Sequence, residues 1–190
     1  SSVQIDNCGG LGSIGTSGIS LTNPTTVSLT DDSYSGVVNL GFTFNFYGQN
    51  YTQCVIGSNG VVTFNLAKAN GYCPWSLGGV GTLPNTTFDD AKNAQMPAYY
   101  DMNPSAFASP NGEILYETIG TAPNRRFVVL YKDINAFGPS GVCSYLGVIM
   151  NETSNTFEFH IGNKPSVPTW NGGLAIQGSE NIGGTVAHIT

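Results

Sequence analysis

Residues 41–64 constrain the fold more than any other stretch of the chain. Phe42, Phe44 and Phe46 alternate with Thr43, Asn45 and Tyr47, the period of two expected of a strand with one buried face. Gly48-Gln49-Asn50 breaks the run, and a second strand is predicted over Tyr51–Gly57. Asn59-Gly60 precedes a third, Val61–Phe64. Asn-Gly tolerates positive φ at both central positions of a tight hairpin, so a turn is predicted there. Three consecutive strands with an inward aromatic ladder make a sheet nucleus.

Further strands are predicted at Thr25–Leu29, Glu113–Ile119, Arg126–Ile134, Tyr145–Met150, Thr156–Ile161, Leu174–Gln177 and Thr185–Ile189, with a short apolar piece at Ala98–Asp101. Helix is limited to one possible turn at Thr87–Lys92, capped by Thr87. The pattern predicts an all-β chain, an antiparallel two-sheet β-sandwich with long loop insertions and little helix. One domain spans 1–190, with an irregular lead-in at 1–23 and a long insertion at 65–95.

Charged residues are 9% of the chain, against about a quarter in an average protein. A net charge of −6 with six Lys and Arg excludes a phosphate-tracking surface, so no nucleic-acid partner is expected. It equally disfavours an anionic membrane surface, and no apolar run approaches the ~20 residues a spanning helix needs. A neutral polar surface of Gly, Ser, Thr and Asn fits a secreted or cell-surface protein. Cys8, Cys54, Cys73 and Cys143 are even in number and lack metal-like spacing, so two disulfides are predicted, with three possible connectivities. Cys73 is expected to tie the insertion to a strand.

Phe44-Asn45-Phe46-Tyr47-Gly48, followed by Gly57-Ser58-Asn59-Gly60 and Val62-Thr63-Phe64, resembles the β-sandwich of nidogen-like (NIDO-type) extracellular domains of bacterial surface proteins. Tyr72-Cys73-Pro74-Trp75-Ser76, residues 120–129, Asn163-Lys164-Pro165, Thr169-Trp170-Asn171-Gly172 and Ala175-Ile176-Gln177 narrow the likeness. They are similar to adhesin-like modules exported by the type IX secretion system of gliding bacteria. The resemblance covers about residues 38–190 and implies a fold and an extracellular location, with no catalytic residues to carry over. Two departures from the pattern are the missing C-terminal sorting domain and a chain that stops at Thr190, where such modules run into a further strand.

No constellation for catalysis stands out. A Gly-x-Ser-x-Gly elbow is absent, and Ser58 sits in a turn motif. His160 shares a strand face with Glu158, and His188 lies in the last strand. Asp101, Glu113 and Glu117 flank one loop, but exposed strand acids explain them as well as a glycosidase pair does. The ion best matched to the loops is calcium, which takes hard oxygen ligands. Asp101, Asn103 and Glu113 are its candidate ligands, with Asp31-Asp32 and Asp89-Asp90 as other options; a solvated polar loop is the competing reading. Tyr72, Trp75, Tyr99 and Tyr100 sit in predicted loops and are candidates for stacking on a ligand. Trp170, between Pro168 and Asn171-Gly172, reads as a plug of the sandwich, while Trp75 fits either role.

The expected function is therefore a non-enzymatic adhesin-type module making glycan or protein contacts. The alternatives are a carbohydrate-binding module of a secreted hydrolase and a subunit self-associating into filaments through an open sheet edge.

Overall fold

A computed structural model describes residues 21–78, 81–105, 112–138 and 143–189. Strands are numbered in chain order. The first sheet runs β1 (Thr25–Thr26), β7 (Glu113–Ile119), β8 (Arg126–Ala136), β9 (Cys143–Asn151) and β10 (Phe157–Asn163), with β6 (Met102–Asn103) also pairing β8. The second runs β12 (Ala187–Ile189), β11 (Ile176–Glu180), β5 (Ala94–Tyr99), β4 (Val61–Thr63), β3 (Gln49–Gly57) and β2 (Val38–Phe46). All pairings are antiparallel. The chain is thus the two-sheet β-sandwich its alternation predicts.

The aromatic ladder does what its period requires. Val38, Leu40, Phe42, Phe44 and Phe46 are buried between the sheets while most residues between them face outward. Phe44 and Phe46 meet Phe64 with ring centroids 6.0 and 4.9 Å apart. Across the core lie Phe127, Val129 and Tyr131 of β8 and Leu146, Val148 and Met150 of β9. Full burial of one such side chain contributes about 1.5–3 kcal/mol, so this interface is the main source of stability.

The turns differ from expectation in an informative way. Positive φ at two successive residues occurs at Tyr47 (49°) and Gly48 (82°), the two-residue link from β2 to β3. Tyr47 is held there by edge contact with Phe46 at 4.7 Å, stacking on His188 at 5.6 Å and a hydroxyl bond to Ser179 O at 3.1 Å. Between β3 and β4 the link has three residues, Ser58-Asn59-Gly60, and only Gly60 has positive φ (78°). A Cβ on Gly60 would stand 2.3 Å from the Ala98 carbonyl oxygen, so the backbones approach as only glycine allows.

Residues 65–78 and 81–93 cover the outer face of the second sheet. Leu77, Leu83 and Ala91 from this segment bury Tyr34, Val55, Val61, Ala94, Met96 and Tyr99 in a second core. Its conformation is turns and one 3-10 turn (Leu66–Lys68); no helix forms at 87–92. Asn85 rather than Thr87 is the local acceptor, taking the amides of Thr87 and Phe88 at 2.8 and 3.0 Å.

The second core also corrects the cysteine expectation. Cys54 and Cys73 are free and buried. Cys54 packs in the core between the sheets and Cys73 in the core under the insertion. Cys54 is on β3 and faces one core while Cys73 packs in the other, so the two do not pair. Burial pushes both thiols up, Cys73 to about 11. Cys143 is disulfide-bonded, in keeping with part of the expectation, and Cys8 lies outside the described residues.

Candidate functional site

Four segments meet at the end of the sandwich where β3 turns into β4. They are the Asp31–Ser33 turn, the Ser58–Gly60 link, Gly71–Pro74 of the insertion and the junction of β5 with β6. Asn59 is fully buried and joins all four. Its Nδ2 donates to Asp32 Oδ1 at 3.1 Å, Cys73 O at 3.0 Å and, more weakly, Pro74 O at 3.4 Å. Its Oδ1 accepts from Met102 N at 2.9 Å, and its carbonyl accepts from Tyr100 N at 3.1 Å. The turn motif that explains Gly60 gives no hint of this role.

The insertion is stitched to the Asp31–Ser33 turn by backbone bonds. Cys73 N donates to Asp32 O at 3.0 Å and Tyr34 N to Gly71 O at 2.9 Å, with Ser33 bridged to Tyr72. Asp31 N donates to Ser105 Oγ at 3.0 Å, and Ser33 N to Ser58 Oγ at 3.1 Å. These bonds place Asp31 and Asp32 beside Asp101, with one oxygen from each of the three within 4.8 Å of the others. Asp101 Oδ2 accepts the Trp170 indole N–H at 2.6 Å, and Asp31 Oδ2 accepts from Asn103 Nδ2 at 3.1 Å. Burial pushes the Asp101 carboxyl up to about 6; the charges of Asp32 and Asp31 add to the rise and the Trp170 bond opposes it.

Aromatic side chains border the acids. Trp170 lies against Phe137 at 4.8 Å and Trp75 at 5.6 Å, and Asn171 Nδ2 reaches the Trp75 carbonyl at 3.4 Å. Trp75 and Trp170 are both half-buried. Tyr72 is 62% exposed. Its phenol is pushed up, first by desolvation and then by its acidic surroundings, Asp32, Asp101 and Asp31 among them.

The structure therefore unites some of the residues singled out by sequence and disperses others. Tyr72, Trp75, Asp101 and Asn103 come together, with Asp31 and Asp32 joining them. Tyr99 and Tyr100 do not present a surface, because both are fully buried. Tyr99 donates to Pro74 O at 2.6 Å, and the Tyr100 hydroxyl bonds Ser144 Oγ. The apolar run around them is strand and core rather than loop. Glu113 is also removed: it pairs with Lys132 at 3.1 Å on β7 and β8. Glu117 accepts from Thr22 and Asn23, and Asp89 and Asp90 pair with Lys92 and Lys68. His160 contacts Glu158 at 3.3 Å, and His188 stacks on Tyr47; each lies on a sheet edge, β10 or β12.

Among the described residues no helix is long and apolar enough to cross a membrane. Searches of curated proteins and of solved structures find no match. The model of the family described as NIDO related matches residues 14–189. That match spans both sheets, the insertion and every side chain of the acidic and aromatic end, and the chain belongs to the NIDO-related family.

Proposed function

We propose that this chain is a non-catalytic extracellular module that makes adhesive contacts through the Tyr72–Trp75 end of its sandwich, with a glycan as ligand. The family supports the coarser part, since NIDO-related domains are typically extracellular and non-catalytic. Export by the type IX route is the narrower form of the same proposal. The observation that carries the contact surface is Tyr72, 62% exposed beside half-buried Trp75 in the insertion. A large aromatic displayed on a loop that is pinned by backbone bonds loses little conformational entropy on binding. Its face suits the apolar face of a sugar ring, and the neighbouring carboxylates and the Asn171 amide suit sugar hydroxyls.

A glycan array probed with the chain and with Tyr72→Ala and Trp75→Ala tests this. Expected is a ligand whose binding falls more than tenfold in both variants. A ligand bound equally well by the chain and by both variants refutes the assignment of the surface.

A second reading, self-association through the second sheet, has its own observation. Ile182, Val186 and Ile189 are exposed around edge strand β12, at 62%, 49% and 60%. Light scattering across a concentration series separates the two: a monomer at high concentration removes the filament reading and leaves the glycan reading intact.

A further inference from the structure

The acidic cluster at this end carries more than its proximity to the aromatics. Asp101 is 4% exposed, and its Oδ1 has no hydrogen-bond partner among the described residues. The buried Oδ1 of Asp31 is likewise unpartnered. A buried carboxylate oxygen without a donor or counter-charge is costly, because desolvation is not repaid. Among the described residues no cation neutralises these carboxylates. All six Lys and Arg lie within the described residues, and none pairs with Asp31, Asp32 or Asp101. Lys68, Lys92, Arg125 and Lys132 are each committed to another acid.

We infer that Asp31, Asp32 and Asp101 form a divalent cation site, and that its ion is calcium. Oxygens sharing one calcium at about 2.3–2.6 Å stand no more than about 5 Å apart, and the three carboxylates offer oxygens within 4.8 Å of one another. The donor set is all hard oxygen, with no His or Cys in the cluster, which disfavours zinc and copper. Magnesium keeps most of its waters and takes one or two carboxylates, whereas three carboxylates on two loops suit the larger, more flexible calcium shell. Asn103 supports the site from outside it. Its Nδ2 orients Asp31, and its Oδ1 is already used by Ser105 N at 2.9 Å. Asn59 and Trp170 orient Asp32 and Asp101 in the same way.

An ion here joins the Asp31–Ser33 turn to the β5–β6 junction, and through Asp32 it braces the insertion at Cys73. The inference stands apart from the identity of any adhesive partner, because it predicts an ion bound by the chain alone.

The experiment uses the whole chain, stripped with chelator and dialysed. Terbium, a luminescent stand-in for calcium, is titrated with excitation of the aromatic side chains, Trp170 being bonded to a ligand carboxylate. Calcium and magnesium are then compared by calorimetry and thermal melting. Expected are sensitised terbium emission displaced by calcium, a calcium-dependent rise in melting temperature, and at least tenfold weaker binding of magnesium. Asp31→Asn and Asp32→Asn should each weaken calcium binding at least tenfold while melting no earlier than the chain itself without calcium, since each removes a repelling charge. Absence of sensitised emission and of calcium heat overturns the inference. So does calcium binding unchanged in both variants, which places the ion elsewhere.

Discussion

Replacing Asn59 by Ala is expected to unravel the acidic end from within. The change removes the partner of the Met102 amide and the main donor to the Cys73 carbonyl, and both residues are fully buried. Each buried backbone group left unpaired costs about 1–3 kcal/mol, so the two together cost about 2–6 kcal/mol. The lost bond to Asp32 adds to this. A loss near 4 kcal/mol is a large share of the 5–15 kcal/mol that holds a typical domain together, and corresponds to a drop of about 8–16 °C in melting temperature. Urea unfolding followed by circular dichroism measures it, with an unchanged m value confirming that native stability is what moved. Asn59→Asp is the sharper companion. It keeps an acceptor for Met102 N but cannot donate to Cys73 O or Asp32, and it adds a fourth carboxylate. It is expected to cost at least as much as alanine in the absence of metal. A loss below about 1 kcal/mol for both variants would refute the role given to Asn59.

Gly60→Ala is expected to destabilise by about 3 kcal/mol in the same assay, from the positive φ and the contact with Ala98 O; a neutral result would mean the turn relaxes freely. Cys54 and Cys73 are expected to resist a thiol reagent in the native state and to react on unfolding, because both are buried and their thiols are held protonated. Rapid native labelling of either would contradict their placement. Glu152 is held down to about 2 from 4.5, chiefly by side-chain hydrogen bonds from Arg125. Its folded value lies below its unfolded one, so the stabilisation is fully present above about pH 4.5 and is lost as pH falls toward 2. Glu152→Gln should flatten that part of the acid-unfolding curve, and an unaltered curve would assign the acid sensitivity to other groups.

How much of this was legible depends on how local the determining interaction is. The alternation of Phe42, Phe44 and Phe46 specifies a half-buried strand without outside help, and β7 was readable to the residue from the turn residues that bracket it, Asn111-Gly112 and Gly120. Strand β5 was not. Both its faces are buried, which erases the alternation, and Pro97 argues against a central strand. The structure accommodates that proline at the register shift between Ile176 and Gly178 on β11. Length and irregularity marked the insertion, but its covering role depends on contacts with Tyr34, Val55 and Met96, which no spacing encodes. The acidic site is half legible. Asp101 and Asp31-Asp32 each look like calcium loops by composition, but their meeting depends on Asn59, whose side chain was hidden behind a sufficient turn explanation. Tyr99 and Tyr100 misled because aromatic residues beside prolines and glycines look the same in a loop and in a doubly covered strand.

The two tryptophans of the chain, Trp75 and Trp170, both lie at the proposed contact end, so their indole N–H resonances report on that end alone. The most direct test of the proposed function is a two-dimensional nitrogen–proton spectrum recorded while titrating the tightest-binding oligosaccharide from the array. Expected is a saturable shift of the Trp75 indole signal, with backbone shifts clustered at Tyr72–Trp75 and Asn171. An oligosaccharide that binds while both indole signals and these amides stay still would contradict the assignment of the contact surface.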